Sequence, residues 1–417
     1  MLMMAAAAQG FDVETATRAY LDALQGAARA QSDAYFEGGY WLILFGALVG
    51  VLVYWLMLHT GWSAAWSERS RRITHRRWLQ PALYSVPFAV AGTLLTFPWT
   101  IYTGFVREKQ YGLMNLTFVQ WLAEQAIGLV VTIIGTAIVF VIIFAVIRKA
   151  PQSWWLWGTG ATAALLALAI MIAPVFIAPL FNEYTPMPPG PLRDEILTMA
   201  REEGIPADDV YVFDQSRQTD RISANVSGIG PTVRISLNDN LLNRATPSGV
   251  KAVMGHEMGH YVLGHLPRLV LYNSALAAVA MFLLWWLSPR LLHRFRERWG
   301  VRDVSDPAVA PLFAIVIVIF GVLMTPLTTT IARTVEAEAD AFGLEAAREP
   351  DGFATIAMLL SEYRKIEPGK WEERFFYDHP SGRARVRMAM EWKARHLGEL
   401  PPDQRVIVRP PPLQPSR

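Results

Sequence analysis

The sequence predicts a mainly α-helical, multi-pass membrane protein with a polar α+β portion, and three observations carry that reading. Of its 417 residues 53% are hydrophobic and 15 are Trp, an apolar balance rare in a soluble chain of this length. Six stretches, at 40–57, 81–105, 126–147, 154–180, 269–287 and 308–331, are close to the length and apolarity that a spanning helix of about 20 residues needs. Aromatic residues crowd several of their ends (Tyr40, Trp41, Trp154, Trp155, Trp285, Trp286), as an interfacial belt does.

Charge and cysteine usage narrow the chemistry. The formal net charge is only +2, which argues against a nucleic-acid partner. With no Cys, disulfides, thiolate nucleophiles and Cys-type zinc sites are excluded, so any metal must be held by carboxylates and some of the 8 His.

The elements follow in chain order. Residues 1–10 are apolar but lack the basic start of a secretory signal, so they are expected to be retained. Residues 1–39 form an N-terminal polar segment, with a helix over 13–31 too polar to span. Residues 40–180 hold four membrane helices, the last ending in a run with Pro174 and Pro179. A first polar block, 181–268, opens on a Pro-rich linker at 185–191. It continues with an amphipathic helix over 192–204 closed by Gly204, then short strands at 210–213 and 233–237, the second after a Gly/Pro turn at 228–231. Two more membrane helices occupy 269–331, and Pro311 and Pro326 predict a kink or early exit in the second. Residues 332–399 form a second, charged helical block, and 400–417 an unstructured Pro-rich tail.

The chemistry concentrates at His256-Glu257-Met258-Gly259-His260. Two His at i and i+4 leave a helix from one face, close enough to grip one ion. Glu257 beside them can act as general base to a water activated by that ion, and zinc suits the task because it brings the pKa of such a water to about 7. Gly255 and Gly259 permit close packing of this helix. The pattern arises by chance in roughly 1 sequence of this length in 100. A third ligand is expected downstream, where Glu336, Glu338 and Asp340 follow the last membrane segment. Glu336 and Asp340 share a face and Glu338 points away, but spacing alone does not choose the ligand.

The string Gly255-His-Glu-Met-Gly-His-Tyr-Val-Leu-Gly-His265, followed by Arg333-x-x-Glu336-x-x-x-Asp340, resembles the integral-membrane CAAX prenyl endopeptidases. The likeness continues through Phe105-Val-Arg-Glu-Lys-Gln-Tyr-Gly112, which resembles a loop between membrane helices. It extends to Ile177-Ala-Pro-Leu-Phe-Asn-Glu-Tyr-Thr-Pro-Met-Pro188, Arg234-Ile-Ser-Leu-Asn-Asp-Asn-Leu-Leu242 and His379-Pro380. The resemblance implies a gluzincin-like α+β zinc peptidase domain with a small sheet, set among membrane helices that enclose a large chamber. It implies one Zn2+ ion held by His256, His260 and Glu336, with Glu257 as general base and Asp340 as a partner of the ligands. His265 resembles a position that is structural. His379 and Arg385 match a pair that approaches the scissile carbonyl, where such donors stabilise the oxyanion.

Two departures stand out. Where the family carries Asn-Ala on a substrate-binding edge strand, the best register here puts Ser223-Ala224, with Asn225 beside it; a strand can still pair with an extended peptide. The additional N-terminal spanning helix of the seven-helix members is also missing from 1–39. The partners implied are a peptide or protein substrate, prenylated at its C-terminus, and the bilayer; nothing in the sequence fixes an oligomeric state. The alternatives are an HtpX-type quality-control protease and a transporter or scaffold with a non-catalytic metal site. The loops at 59–80, 148–153 and 288–307 are rich in Arg, which by the positive-inside rule puts the peptidase domain outside the cytoplasm. The resemblance implies the cytoplasmic side, and that placement is taken here as the expectation.

Overall fold

The computed structural model describes residues 11–228 and 233–413. Among them six helices are long and apolar enough to cross a membrane: Gly26–His59, Leu79–Gln110, Phe118–Lys149, Trp154–Leu180, His265–Trp299 and Pro307–Ala347. Each contains one of the six apolar stretches. Large apolar side chains such as Trp41, Leu48, Val130, Ile134, Leu168 and Leu323 stand exposed on them, the surface expected of helices that meet lipid rather than water.

In chain order the helices are α1 (Val13–Leu21), α2 (Gly26–His59), α3 (Trp62–Ile73), α4 (Leu79–Ile101), α5 (Arg107–Gln110), α6 (Phe118–Lys149) and α7 (Trp154–Ile172). After these come α8 (Pro191–Glu202), α9 (Asp239–Arg244), α10 (Pro247–Val262), α11 (His265–Trp299), α12 (Ala310–Ala347), α13 (Pro350–Leu360), α14 (Lys370–Phe376) and α15 (Gly382–Arg395). A four-stranded sheet has the order β1 (Tyr184–Pro186), β2 (Val210–Phe213), β4 (Arg234–Asn238), β3 (Ala224–Ser227). β2 and β4 are parallel, and the outer strands pair antiparallel. β3 is therefore an edge strand. Of the expected turn at 228–231, residues 229–231 lie outside the described residues, as do residues 1–10 and 414–417.

Several boundaries differ from the sequence reading. The helix expected over 13–31 is two: α1, whose first turn is capped by the Asp12 carboxylate on the Thr15 N–H at 2.7 Å, and the start of α2. Gly26, at φ +60, marks the break. The segment 105–112 is no free loop: a π-helical turn at Tyr102–Val106 carries α4 into α5. Pro326 does not end the last membrane helix, since α12 runs unbroken past it to Ala347; neighbouring helices and hydroxyls tolerate such prolines in lipid. The tail is ordered as far as it is described. It makes a 3-10 turn at Pro402–Arg405, and Ile407, Val408 and Leu413 pack on the core.

Three apolar clusters organise the molecule. One lies at the membrane end far from the sheet, around Leu58, Tyr84, Phe144, Trp154, Leu284 and Phe313. A second joins the sheet and α8 to α10 through Ile196, Val210, Ile235, Leu237, Met254 and Met258. The third binds α1 to α13 and α15 through Tyr20, Leu24, Phe353, Met358, Val386 and Trp392. The metal-site helix α10 and the end of α12 run between the last two.

Candidate metal centre

The site depends on how closely α10 and α12 approach. α10 begins on a Thr246 cap, whose hydroxyl accepts from the Gly249 N–H at 3.2 Å, with Pro247 in its first turn. Where it passes α12 the contact is backbone on backbone. A Cβ on Gly255 would lie 2.9 Å from the Gly343 carbonyl oxygen, and one on Gly343 only 2.7 Å from the His256 nitrogen. α10 closes at Gly264, φ +63, which turns the chain directly into the membrane helix α11 at His265.

This packing brings His256, His260 and Glu336 together, with one ligand atom from each inside 4.8 Å of the others. The two Nε2 atoms are 3.1 Å apart. Glu336 Oε2 is 3.2 Å from His256 Nε2, and Oε1 is 3.6 Å from His260 Nε2. Nitrogens 2.0–2.1 Å from a tetrahedral ion stand roughly 3.3 Å from each other, so the spacing fits a zinc-sized ion. Glu336 Oε2 adds a second sign: it is buried and makes no hydrogen bond, although imidazole nitrogens lie near it. The donor set, two imidazoles and a carboxylate with a fourth position left over, is that of catalytic zinc.

Both imidazoles are held from behind. His256 Nδ1 lies 2.8 Å from Asp340 Oδ1, and fully buried Asp340 receives two N–H bonds from Arg385, at 2.9 and 2.6 Å. His260 Nδ1 lies 2.9 Å from His265 Nδ1, and His265 Nε2 is 3.3 Å from Glu338, which Arg268 grips at 2.5 Å. Fixing Nδ1 in this way leaves each Nε2 for the metal. Burial by itself pushes the His256 imidazolium down, but Asp340 and Glu336 outweigh it and raise its pKa to about 10. Burial raises the Glu257 carboxyl above its ordinary range, with His256 and His260 opposing.

A cavity of about 160 Å³ opens over the site, lined by His256, Glu257, His379 and Arg385 on one side and Ser223 and Ala224 on another. The structure thus unites every sequence-derived site residue except Asn225, which pairs with Ser236 within the sheet and does not line the cavity. His379 and Arg385 line the cavity and also contact the acidic residues of the site. Arg385 is engaged on Asp340. His379 stands with Nε2 3.2 Å from Glu336 Oε2 and Nδ1 2.8 Å from Asp378. The partnership of His265 with His260 escaped the sequence reading; the signal was the spacing across Gly264, which shows its meaning only when that turn is seen to fold back.

Fold and site together define a membrane-embedded metallopeptidase. The family model for Peptidase family M48 matches residues 186–393, and that for the CAAX prenyl protease N-terminal region, five membrane helices, matches 18–183. The Bacillus subtilis metalloprotease YhfN is 25% identical over 86% of this chain and 85% of its own. CAAX prenyl protease 1 of Saccharomyces cerevisiae is 29% identical over 69% of this chain and 67% of its own. The crystal structure of S. mikatae Ste24p matches with a TM-score of 0.70 at 19% identity, over 93% of this chain and 98% of that one, which shows the shared fold. The chain belongs to the M48 metallopeptidases, in their CAAX prenyl protease group.

Proposed function

We propose that the chain is a zinc-dependent endopeptidase that cleaves membrane-associated substrates, with C-terminal prenylated CAAX-type peptides as their class. The observation that carries this reading is the triangle of His256, His260 and Glu336 beside Glu257, facing a cavity bordered by an edge strand. His256, His260 and Glu336 would hold a zinc ion, which would supply Lewis acidity toward the scissile carbonyl and the attacking water. Ser223 and Ala224 at the start of β3 receive the substrate backbone as an added strand. Glu257, whose carboxyl burial pushes above its ordinary range, takes the proton of the attacking water and passes it to the leaving amine. His379 donates to the developing oxyanion. Asp340 and Arg385 hold His256 in place.

The relatives named as CAAX prenyl proteases favour prenylated substrates over the misfolded membrane proteins that an HtpX-type enzyme would clear. We place the peptidase domain on the cytoplasmic side, the side that the resemblance implies. Charge argues the reverse: the described spans are six in number, and the far end carries Arg69, Arg76, Arg77, Arg148, Lys149 and Arg294 among others. Cleavage of a farnesylated peptide, but not of a misfolded membrane protein, is the expected outcome with purified protein. A reporter fused after Arg417 tests the side. If it is active only outside the cytoplasm, the placement fails, and cytosolic prenylated chains fail with it as substrates.

A further inference from the structure

We propose that Arg364 is the receptor for a substrate carboxylate in the catalytic cavity. This rests on the peptidase reading above. Arg364 follows α13, is half-buried, and lines the same cavity of about 160 Å³ as His256, Glu257 and His379. It also borders the small adjoining cavity that contains Tyr377 and Asp378.

What sets it apart is its lack of a counter-ion. The other cations around the site are engaged. Arg385 pairs with Asp340, Arg221 with Glu108, Arg244 with Glu362, and Lys365 with Glu37 and Glu372. Arg383 pairs with Glu367, and Arg333 is bonded to the carbonyls of Glu373 and Tyr377. Among the described residues no carboxylate oxygen comes within 4.0 Å of Arg364, and no hydrogen bond ties it down. Asp378 feels its charge but is bonded to His379 Nδ1 at 2.8 Å. A guanidinium is a planar fork built to receive two carboxylate oxygens at once. Held unpaired and partly dehydrated at a cavity wall, it is matched by an anion that arrives with the substrate.

The rest of the cavity says what that substrate looks like. Ile222, Val253, Ile356 and Leu360 also line the cavity, and the apolar surface they add suits an aliphatic side chain. An extended chain advances about 3.3–3.6 Å per residue, so in so small a space the carboxylate lies within roughly three residues of the scissile bond. Its source is either the α-carboxylate of a chain end or an Asp or Glu side chain.

The test uses the full chain with zinc, as wild type, Arg364→Gln and Arg364→Glu, with metal content confirming an intact site. The substrates are farnesylated peptides ending in Ala-Val-Leu as the free acid, the same peptide as the amide, and an amide with Asp in last place. Wild type is expected to favour the free acid over the simple amide by about ten- to a hundredfold in KM, with kcat little changed. Arg364→Gln should lose that preference and Arg364→Glu reverse it. Preference for the free acid alone assigns the chain end, and equal use of the Asp amide assigns the side chain. In parallel, binding of the Ala-Val-Leu tripeptide as acid and as amide is measured by calorimetry. An Arg364-dependent preference in binding without any cleavage would uphold the receptor and count against the peptidase reading alone. Acid and amide bound and cleaved alike by wild type, or a preference that survives in Arg364→Gln, would overturn the proposal.

Discussion

Each proposed metal-binding imidazole has an assigned partner behind it, and the chemistry of the site follows from those pairs. Asp340 at His256 and His265 at His260 fix which ring nitrogen faces the metal. Because Asp340 and Glu336 outweigh burial and raise His256 to about 10, its ring is protonated at pH 7 and must lose that proton to bind metal. Zinc uptake should therefore release a proton, and affinity should fall about tenfold per pH unit as pH drops. Titration calorimetry in buffers of different ionisation heat measures this. Asp340→Asn should lower zinc affinity about 10- to 100-fold and release fewer protons; unchanged affinity and proton count would remove Asp340 from this role. At this scale the sequence was most legible, since His256, Glu257, His260, Glu336 and Asp340 followed from spacing and resemblance. Less legible were partners reached through tertiary contact. The engagement of Arg385 on Asp340 links residues on different helices that no local pattern connects, and Asn225 was placed by register alone.

Helix packing sets the next level. The close approach of α10 and α12 at Gly255 and Gly343 holds the ligand triangle together, so a single methyl there should act on both stability and metal. Gly343→Ala, whose Cβ would meet the His256 nitrogen at 2.7 Å, should cost about 1–3 kcal/mol and weaken zinc binding. Gly135→Ala in α6, where nothing lies within 4 Å, should change stability by no more than about 0.5 kcal/mol. Thermal unfolding in detergent with and without zinc compares them; equal effects would contradict the packing argument. All six spans were visible as apolar runs, because lipid imposes a length and composition that a sequence cannot disguise. Their ends were not. The helices continue beyond the apolar stretch into polar turns that pack on the peptidase domain, as α2 does before Tyr40. β1 escaped notice because three residues, two of them exposed, leave no clean alternation, and β3 was legible only through the resemblance, its four half-buried residues showing no alternation of their own.

Over the whole molecule the chain ends serve the peptidase core. Lys393 is fully buried and bonds both oxygens of Asp351, at 2.8 and 2.6 Å, as well as the Val406 carbonyl. The Tyr20 hydroxyl donates to the same Asp351 at 2.8 Å. One partly buried ion pair thus ties α1 and the tail to α13 and α15. Lys393→Met leaves Asp351 without its cation in a partly buried setting, which should cost about 3–5 kcal/mol. Limited proteolysis should then cut first near α1 and the tail, and an unchanged digestion pattern would count against the clamp. The tail read as unstructured because Pro-rich sequence carries no periodicity, while its order comes from contacts with distant residues. The central claim, a metal held by three residues and worked by a fourth, is tested most directly by measuring metal content and peptidase activity on the same preparations. Wild type should carry one zinc per chain and be active. Glu336→Gln should lose both metal and activity, and Glu257→Gln should keep the metal while activity falls by about 10²–10⁴. Full activity in Glu257→Gln, or a wild-type preparation active without metal, would contradict the account.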